Sequence, residues 1–266
     1  MNTAIPSFLS VCETAARAAG EILRTKLGTV TVKHKRNVFD LLTEADSAAQ
    51  ESIENILLGA FPSHYFLGEE KSVNNIVKEL NEADYCWVVD PLDGTTNYVH
   101  TVPLFCTSIA LVKGNEAICA AVYNPLTDEL FTAEKGGGTF LNGKQVHTSS
   151  WQTLTESLAA ISLPSEIHDN SPDWIAFNKF LYKCQSMRRT GSTALNLAFT
   201  AAGRFDVSCA FQCHPWDMAA GVLLVQEAGG ITSRPDGSPI QLLTDPAPVC
   251  AAANEKLFDE MMRILR

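Results

Sequence analysis

The sequence predicts a layered α/β (α+β) fold. An N-terminal α+β half, residues 1–150, and a C-terminal α/β half, residues 151–266, are expected to form one compact unit. Three observations predict it: apolar residues recur at helical spacing near the start, short apolar runs alternate with hairpin turns between 104 and 146, and helical and strand patterns alternate after Trp151. With 46% hydrophobic and 19% charged residues, the chain is not of a disordered, collagen-like or coiled-coil class.

Two amphipathic helices are predicted in the first sixty residues. From Phe8 onwards apolar residues follow at steps of three and four until Gly28 ends the first helix, and a strand is predicted at 30–32. The second helix begins after Thr43 and is stopped by Pro62.

Strands are predicted wherever short apolar runs are bounded by turn residues. The runs 65–67 and 85–89 each end in acidic residues. An antiparallel meander is predicted from the runs 108–112, 117–123, 129–133 and 139–141. Further helices are predicted at 192–202, at 216–228 and after the N-cap residue Asn254.

Charge and cysteine content narrow the possible partners. Twenty basic against 30 acidic residues give a net charge of −10, which argues against a nucleic-acid partner but allows an anionic small substrate if a metal ion supplies positive charge. No uncharged apolar run of about 18 residues and no basic leader is present, so we expect a cytoplasmic protein without a membrane span. The eight cysteines form no C-x-x-C pair and are expected to be buried reduced thiols; a metal site at Cys209, Cys213 and His214 is the minority alternative.

An acidic turn follows the second of the short strands. The stretch 87–97 reads WVVDPLDGTTN, in which an apolar strand ends at Asp90, the next proline stops the ladder and Gly94 permits a turn. In such a bend the carboxylates of Asp90 and Asp93 and the carbonyl of Leu92 can face one point. These are the oxygen ligands that Mg²⁺ prefers, and the N–H groups after Gly94 would suit a phosphate oxygen.

Two further acidic features stand at element ends. Glu69 and Glu70 follow a predicted strand, and Asp217 opens an apolar helix. Taken singly, an acidic turn can be a solvated loop, and Asp217 can be an acid that the helix dipole favours in a first turn. Taken together, the acidic residues at these element ends indicate a metal site. The rival interpretation, an aspartyl-nucleophile phosphatase, requires an Asp-x-Asp pair that this stretch lacks, and no serine-hydrolase elbow or phosphate loop is present.

These residues resemble the signatures of the inositol monophosphatase family of Mg²⁺-dependent phosphomonoesterases, with the bacterial-type enzymes most similar. The first signature is the stretch 87–97, the second spans 216–230, and Gly68-Glu69-Glu70 precedes both. The resemblance covers nearly the whole chain and implies an α-β-α-β-α sandwich of the sugar-phosphatase type. It also implies a homodimer, lithium sensitivity and the family's default reaction, hydrolysis of myo-inositol 1-phosphate to inositol and phosphate.

The resemblance implies two sets of metal ligands. Glu69, Asp90 and the Leu92 carbonyl would hold one Mg²⁺, and Asp90, Asp93 and Asp217 a second, with Glu69 seating a weaker third ion and Mn²⁺ as a substitute metal. The four carboxylates together balance the charge of two divalent cations, so the metal-free protein is expected to bind phosphate poorly.

Catalytic and substrate contacts are implied by the same resemblance. Glu69 and Thr95 would act on the nucleophilic water, with Asp46 accepting the hydrogen of the Thr95 hydroxyl. The implied substrate-binding residues are Asp93, Gly94, Thr95, Gly191, Ser192, Thr193 and Asp217.

One position departs from the inositol-handling pattern. Such members commonly carry a glutamate seven residues before the aspartate of the second signature, where this chain has Ala210. An alanine accepts no hydrogen bond, so this contact with a polyol is lost unless Gln212 replaces it. The alternatives left open are a phosphatase for histidinol phosphate, a sugar or polyol phosphate or 3′-phosphoadenosine 5′-phosphate, and a non-catalytic regulatory protein with the same fold. The complete acidic set favours an enzyme.

Overall fold

The computed structural model describes residues 6–29, 32–34, 41–69, 73–164 and 167–266. The helices in these ranges are α1 (Phe8–Lys26), α2 (Glu44–Ala60), α3 (Val73–Glu79), α4 (Thr95–Val99), α5 (Pro172–Lys183), α6 (Thr193–Ala201), α7 (Pro215–Glu227) and α8 (Glu255–Leu265). The strands are β1 (Val32–His34), β2 (Leu41–Thr43), β3 (Tyr65–Gly68), β4 (Tyr85–Asp93), β5 (Cys106–Lys113), β6 (Glu116–Asn124), β7 (Glu129–Glu134), β8 (Gly138–Leu141), β9 (Lys144–Val146), β10 (Leu158–Ser162), β11 (Ser186–Arg188), β12 (Val207–Ala210), β13 (Ile231–Ser233) and β14 (Val249–Ala252).

The largest sheet has seven strands in the order β3-β4-β5-β6-β7-β8-β9. Strands β3 and β4 are parallel, and every later pair in the sheet is antiparallel. The predicted meander is therefore confirmed, and the turn at Asn142-Gly143 adds one more short strand, β9.

A second sheet has five strands in the order β11-β10-β12-β14-β13. Strand β10 is parallel to both of its neighbours, whereas β14 is antiparallel to β12 and β13. All strands of the larger sheet precede residue 150 and all strands of this sheet follow it. A separate antiparallel pair is formed by β1 and β2.

Alternating side chains of the strands show how the sheets and helices are layered. In β4, Trp87 and Val89 pack with α1 and α2, while Cys86 and Val88 face the core that contains α6 and α7. The second sheet packs one face on that same core and the other on α5 and α8. The order is α1/α2, sheet, α6/α7, sheet, α5/α8, which confirms the five-layered sandwich.

Close approach of α6 and α7 sets the thickness of the central layer. A Cβ at Gly221 would lie 2.4 Å from Cβ of Leu197, so only glycine allows the two helices to approach this closely. The predicted N-cap of α8 is confirmed, since the side chain of Asn254 accepts from the backbone N–H of Leu257 at 3.2 Å. The predicted strand at 30–32 lies largely outside the described residues.

Strand β4 differs from its prediction in one respect that matters for the site. The strand was expected to stop at Asp90 because proline follows, yet it continues to Asp93. Asp90 pairs with Ser108 and Asp93 with Cys106, so three steps along β4 face two along β5. This irregularity accommodates Pro91, which has no N–H to donate to the ladder.

Two predictions about the whole molecule concern membranes and thiols. None of the helices in the described ranges is long and apolar enough to cross a bilayer. All eight cysteines are free thiols, seven of them buried and Cys184 partly so. Cys213 donates to the carbonyl of Ala247, and Cys209 contacts the sulfur of Met261.

Candidate metal centre and active site

The irregularity in β4 aims two buried carboxylates at the same side of the sheet. Asp90 is fixed because its Oδ1 accepts from the backbone N–H of Leu92 at 2.9 Å. The hydroxyl of Thr107 holds the carbonyl of Pro91 at 3.0 Å, so the bulge is anchored to β5. Gly94 then starts α4 with φ of +90°, where a Cβ would lie 2.9 Å from the carbonyl oxygen of Leu104.

Asp93 is held by the N-terminus of α6. Its Oδ2 accepts from the hydroxyl of Ser192 at 2.5 Å and from the backbone N–H of Ala194 at 2.7 Å. Ser192 is also the N-cap of α6, with its Oγ accepting from Leu195 N. The start of a helix from the second half of the chain thus orients a carboxylate from the first half.

Asp217 reaches the same place from the first turn of α7. The backbone N–H of His214 donates to its Oδ2 at 2.7 Å. The hydroxyl of Ser108, which is paired with Asp90 across the sheet, donates to the carbonyl of Trp216 at 3.2 Å. This contact docks the start of α7 against β5.

The three carboxylates converge. Asp90, Asp93 and Asp217 each offer an oxygen, and these atoms lie within 4.8 Å of one another. Asp90 and Asp93 are buried and Asp217 is half-buried. The described part of the chain contains no other such cluster of His, Cys, Asp and Glu side chains. Oxygen donors alone, at this spacing, fit a hard divalent cation such as Mg²⁺.

Glu69 is not one of the three residues whose carboxylate oxygens lie within 4.8 Å of one another, but its charge affects all three of them. It follows β3, which is parallel to β4, and it is half-buried. Its charge contributes to raising the pKa of Asp90, of Asp93 and of Asp217. The neighbouring Glu70 lies outside the described residues.

Burial and mutual repulsion make the ionised cluster unfavourable. Burial raises the pKa of Asp90 well above its usual value, and the charges of Glu69, Asp93 and Asp217 add to this. Burial also raises the pKa of Asp93 to about 6, although Ser192 and Ala194 donate to it. The pKa of Asp217 is raised by burial and then by the charge of Asp93.

No lysine or arginine of the described ranges forms an ion pair with Asp90, Asp93 or Asp217. Because no cationic side chain of the described residues neutralises these carboxylates, they fit a bound cation on electrostatic grounds as well as by donor type.

The predicted pair of Thr95 and Asp46 is arranged differently from the expectation. The Thr95 hydroxyl donates to the carbonyl of Leu92 at 3.1 Å, and a hydroxyl has only one hydrogen to give. Asp46 is buried in the first turn of α2, where its Oδ2 accepts from the backbone N–H and the hydroxyl of Thr43 at 2.8 and 2.6 Å. Its charge reaches α4, because it helps to raise the pKa of Tyr98.

A cleft of about 410 Å³ opens beside the cluster. Gly191 and Thr193, two of the predicted substrate-binding residues, line it, whereas Ser192 is buried and its hydroxyl donates to Asp93. Ala210 is buried at the end of β12 beside Ser162 and Thr193, which do line the cleft. Gln212 is exposed.

Three polar residues of the site were not picked out from the sequence. Thr107 and Ser108 anchor the bulge and α7, and Asn97 donates its side-chain N–H groups to the carbonyls of Leu104 and Thr190 at 2.6 and 2.8 Å. A signal existed for the first two, since a Thr-Ser pair opens an otherwise apolar strand of the meander. Asn97 closes the acidic stretch, but its contact with Thr190 is set by tertiary packing alone.

Comparison with known proteins decides the family. The model of the inositol monophosphatase family matches residues 6–266. This chain belongs to that family. Inositol monophosphatase 3 of Solanum lycopersicum is 41% identical over 268 residues, which cover 99% of this chain and 98% of that protein.

Solved structures of other proteins share the fold. The extragenic suppressor protein suhB from Bartonella henselae has a TM-score of 0.86 at 32% identity and covers 97% of each chain. The inositol monophosphatase of Anabaena (Nostoc) sp. PCC 7120 has a TM-score of 0.82 at 32% identity and covers 97% of this chain and 94% of its own. As a member of the inositol monophosphatase family, this chain is a phosphoric monoester hydrolase.

Proposed function

We propose that this member of the inositol monophosphatase family hydrolyses small phosphate monoesters, with myo-inositol 1-phosphate as the default ester. Water attacks the phosphorus and the alcohol leaves; Asp90, Asp93, Asp217 and Glu69 would hold the divalent cations that assist this reaction. The observation that carries the proposal is the convergence of three carboxylate oxygens within 4.8 Å. Two of the three acids are buried. A folded protein keeps such a cluster at a cost in stability, and a cation of opposite charge removes that cost.

The type of ligand atom at the site indicates which metal it would bind. Asp90, Asp93 and Asp217 provide carboxylate oxygens and Leu92 provides a backbone carbonyl at the bulge, with Glu69 nearby. When bound, Mg²⁺ supplies the positive charge that attracts the phosphate, lowers the pKa of a water and stabilises the leaving alkoxide. We propose two such ions and a weaker third near Glu69, with Mn²⁺ as a substitute.

The protein's own groups then bind and orient the substrate. The N–H groups of Gly94 and Thr95 at the start of α4 are proposed to bind phosphate oxygens. Asp93 and Asp217, fixed by α6 and by His214, set the position of the phosphate relative to the cleft. The alcohol part of the ester extends between Gly191 and Thr193.

Thr95 is proposed to orient the attacking water, with Asp46 as its supporting acceptor. In this structure the Thr95 hydroxyl donates to Leu92 instead. The Leu92 carbonyl is also a proposed metal ligand, so an occupied site would compete with that hydrogen bond and release the hydroxyl for water. A Thr95→Ser variant that keeps most of the activity, beside Thr95→Val that loses it, would support this role.

The test is Mg²⁺-dependent release of phosphate from a panel of esters. The panel contains inositol 1-phosphate, glycerol 2-phosphate, histidinol phosphate, glucose 6-phosphate and 3′-phosphoadenosine 5′-phosphate. We expect Asp93→Asn and Asp217→Asn each to lower turnover by a factor on the order of 100 or more. Mn²⁺ binding followed by electron paramagnetic resonance counts the ions independently of turnover. Unchanged turnover in both variants would refute the site.

Inhibition, oligomeric state and cellular location are proposed from the family resemblance. We expect inhibition by lithium, a homodimer in solution and a cytoplasmic location. Inhibition assays with LiCl against a NaCl control, sedimentation velocity and cell fractionation measure them in turn.

A further inference from the structure

The cleft beside the carboxylate cluster carries a positive charge that the proposed reaction does not use. Among the described residues that line this cleft of about 410 Å³, Arg189 is the charged one, and its neighbours there include Thr96, Asn97 and Thr190. The protein as a whole has a net charge of −10. A positive side chain at this cleft therefore differs in sign from the net charge of the protein. It would favour substrates whose alcohol part is negatively charged.

Within the described part of the chain, Arg189 has no partner that would explain its place. It is exposed and forms no hydrogen bond or ion pair with the residues that the structure describes. The adjacent Arg188 differs, because its Nη1 donates to the hydroxyl of Ser186 at 2.8 Å and to the carbonyl of Met187 at 3.0 Å. The guanidinium of Arg189 is thus available to a ligand in the cleft.

The cleft lies on the side of the cluster where the alcohol part of a phosphate ester would extend. Asn97 of α4 donates to the carbonyl of Thr190, and Thr193 begins the helix whose N-terminus holds Asp93. The cleft is therefore connected to the acids through Thr193, and Arg189 is part of its lining. Ala210 is buried beside Ser162 and Thr193 of the cleft wall and offers no acceptor for a hydroxyl.

Resting on the proposed function, we infer that Arg189 selects phosphate monoesters whose alcohol part carries a second anionic group, a carboxylate or another phosphate. The planar guanidinium binds either group with two parallel hydrogen bonds. A neutral polyol gains much less from this side chain. The second anion binds away from the reacting phosphorus, so the preference appears chiefly in KM.

The experiment compares matched esters that differ in one anionic group. Glycerol 2-phosphate and 2-phosphoglycerate differ by a carboxylate, and glucose 6-phosphate and glucose 1,6-bisphosphate differ by a phosphate. We expect the wild-type protein to favour the more anionic ester of at least one pair, with rising salt weakening that preference. In R189Q, kcat/KM for the favoured ester falls about tenfold through KM, while its neutral counterpart changes less than about twofold.

The neighbouring arginine provides the control. R188Q removes the same charge one residue away from a side chain that is already hydrogen-bonded, and it should leave the preference intact. A response in the carboxylate pair or in the phosphate pair identifies which anion Arg189 reads. Equal losses for both esters of a pair, the same effect in R188Q, or a changed sedimentation coefficient of R189Q would overturn the inference while the proposed function stands. Failure of the wild-type protein to hydrolyse these four esters and every ester of the panel given above, inositol 1-phosphate included, with Mg²⁺ would refute the proposed function as well.

Discussion

Replacing Asp93 by asparagine should make the metal-free protein more stable while abolishing its activity. Burial raises the pKa of Asp93 from 3.8 to about 6. Because the pKa in the folded state lies above that in the unfolded state, the protonated carboxyl stabilises the fold. This contribution is complete below about pH 3.8, declines as the pH rises and is lost above about pH 6.

The magnitude follows from the two pKa values. The difference between 3.8 and about 6 corresponds to about 3 kcal/mol that the ionised wild-type protein lacks at pH 7. Asparagine is neutral at every pH and can still accept from Ser192 and Ala194 through its amide oxygen, while its NH₂ group faces the other two carboxylates. If about half of this free energy, about 1.5 kcal/mol, is gained, the melting temperature of the metal-free variant should rise by roughly 3 °C at pH 7.

The assay is thermal unfolding between pH 4 and pH 8 in EDTA and again with Mg²⁺. The gain from Asp93→Asn should shrink towards pH 4, where the wild-type carboxyl is protonated too. With Mg²⁺ the order should reverse, because only the wild-type protein is stabilised by binding. As a control, Asp206→Asn removes a buried carboxylate outside the cluster that accepts from Leu158 N at 2.6 Å and from the Ser149 hydroxyl, and it should lower stability at every pH.

Two results would refute this reasoning. One is a metal-free Asp93→Asn protein that is less stable than the wild type at pH 7. The other is a gain in stability that stays the same from pH 4 to pH 8, since repulsion between ionised groups must vanish when they are protonated.

Three other predictions concern the surroundings of the cluster. Ser192→Ala removes a donor that lowers the pKa of Asp93, so Mn²⁺ affinity measured by electron paramagnetic resonance should fall about tenfold at pH 6 and less at pH 8; an equal loss at both would contradict it. Asp245→Asn weakens the 2.5 Å contact of Asp245 Oδ1 with Nδ1 of His214, the N-cap residue of α7, and should weaken Mn²⁺ binding a few-fold without changing the melting temperature in EDTA by more than about 2 °C. Ala210→Glu places an acceptor next to the cleft and should raise the ratio of inositol 1-phosphate to glycerol 2-phosphate hydrolysis; an unchanged ratio would show that the alcohol is read elsewhere.

The layered fold could be predicted because its signals are local. The helical spacing after Phe8, the turn residues of the meander and the cap at Asn254 each act within a few residues of chain. The acids Asp90, Asp93 and Asp217 could be singled out for a similar reason, since each stands where an apolar element begins or ends.

The contacts that orient those acids could not be predicted in the same way. The sequence around Ser192 indicates an N-cap, but its hydrogen bond to Asp93 exists only because the start of α6 packs against the end of β4, far away in the chain. The continuation of β4 past Pro91 depends on how β5 pairs with it, which the residues of β4 alone do not reveal. Long-range packing, with no nearby sequence signal, decides both.

The order of the layers has a consequence for synthesis of the chain. Helices α6 and α7 cover the inner face of the seven-stranded sheet, yet both are translated after all of its strands. A nascent chain that has emerged only to residue 190 therefore exposes one apolar face of a finished sheet, and it needs the remaining chain or a chaperone to shield that face. The acidic centre also lacks Asp217 at that stage, so the proposed hydrolysis cannot begin before α7 has been translated.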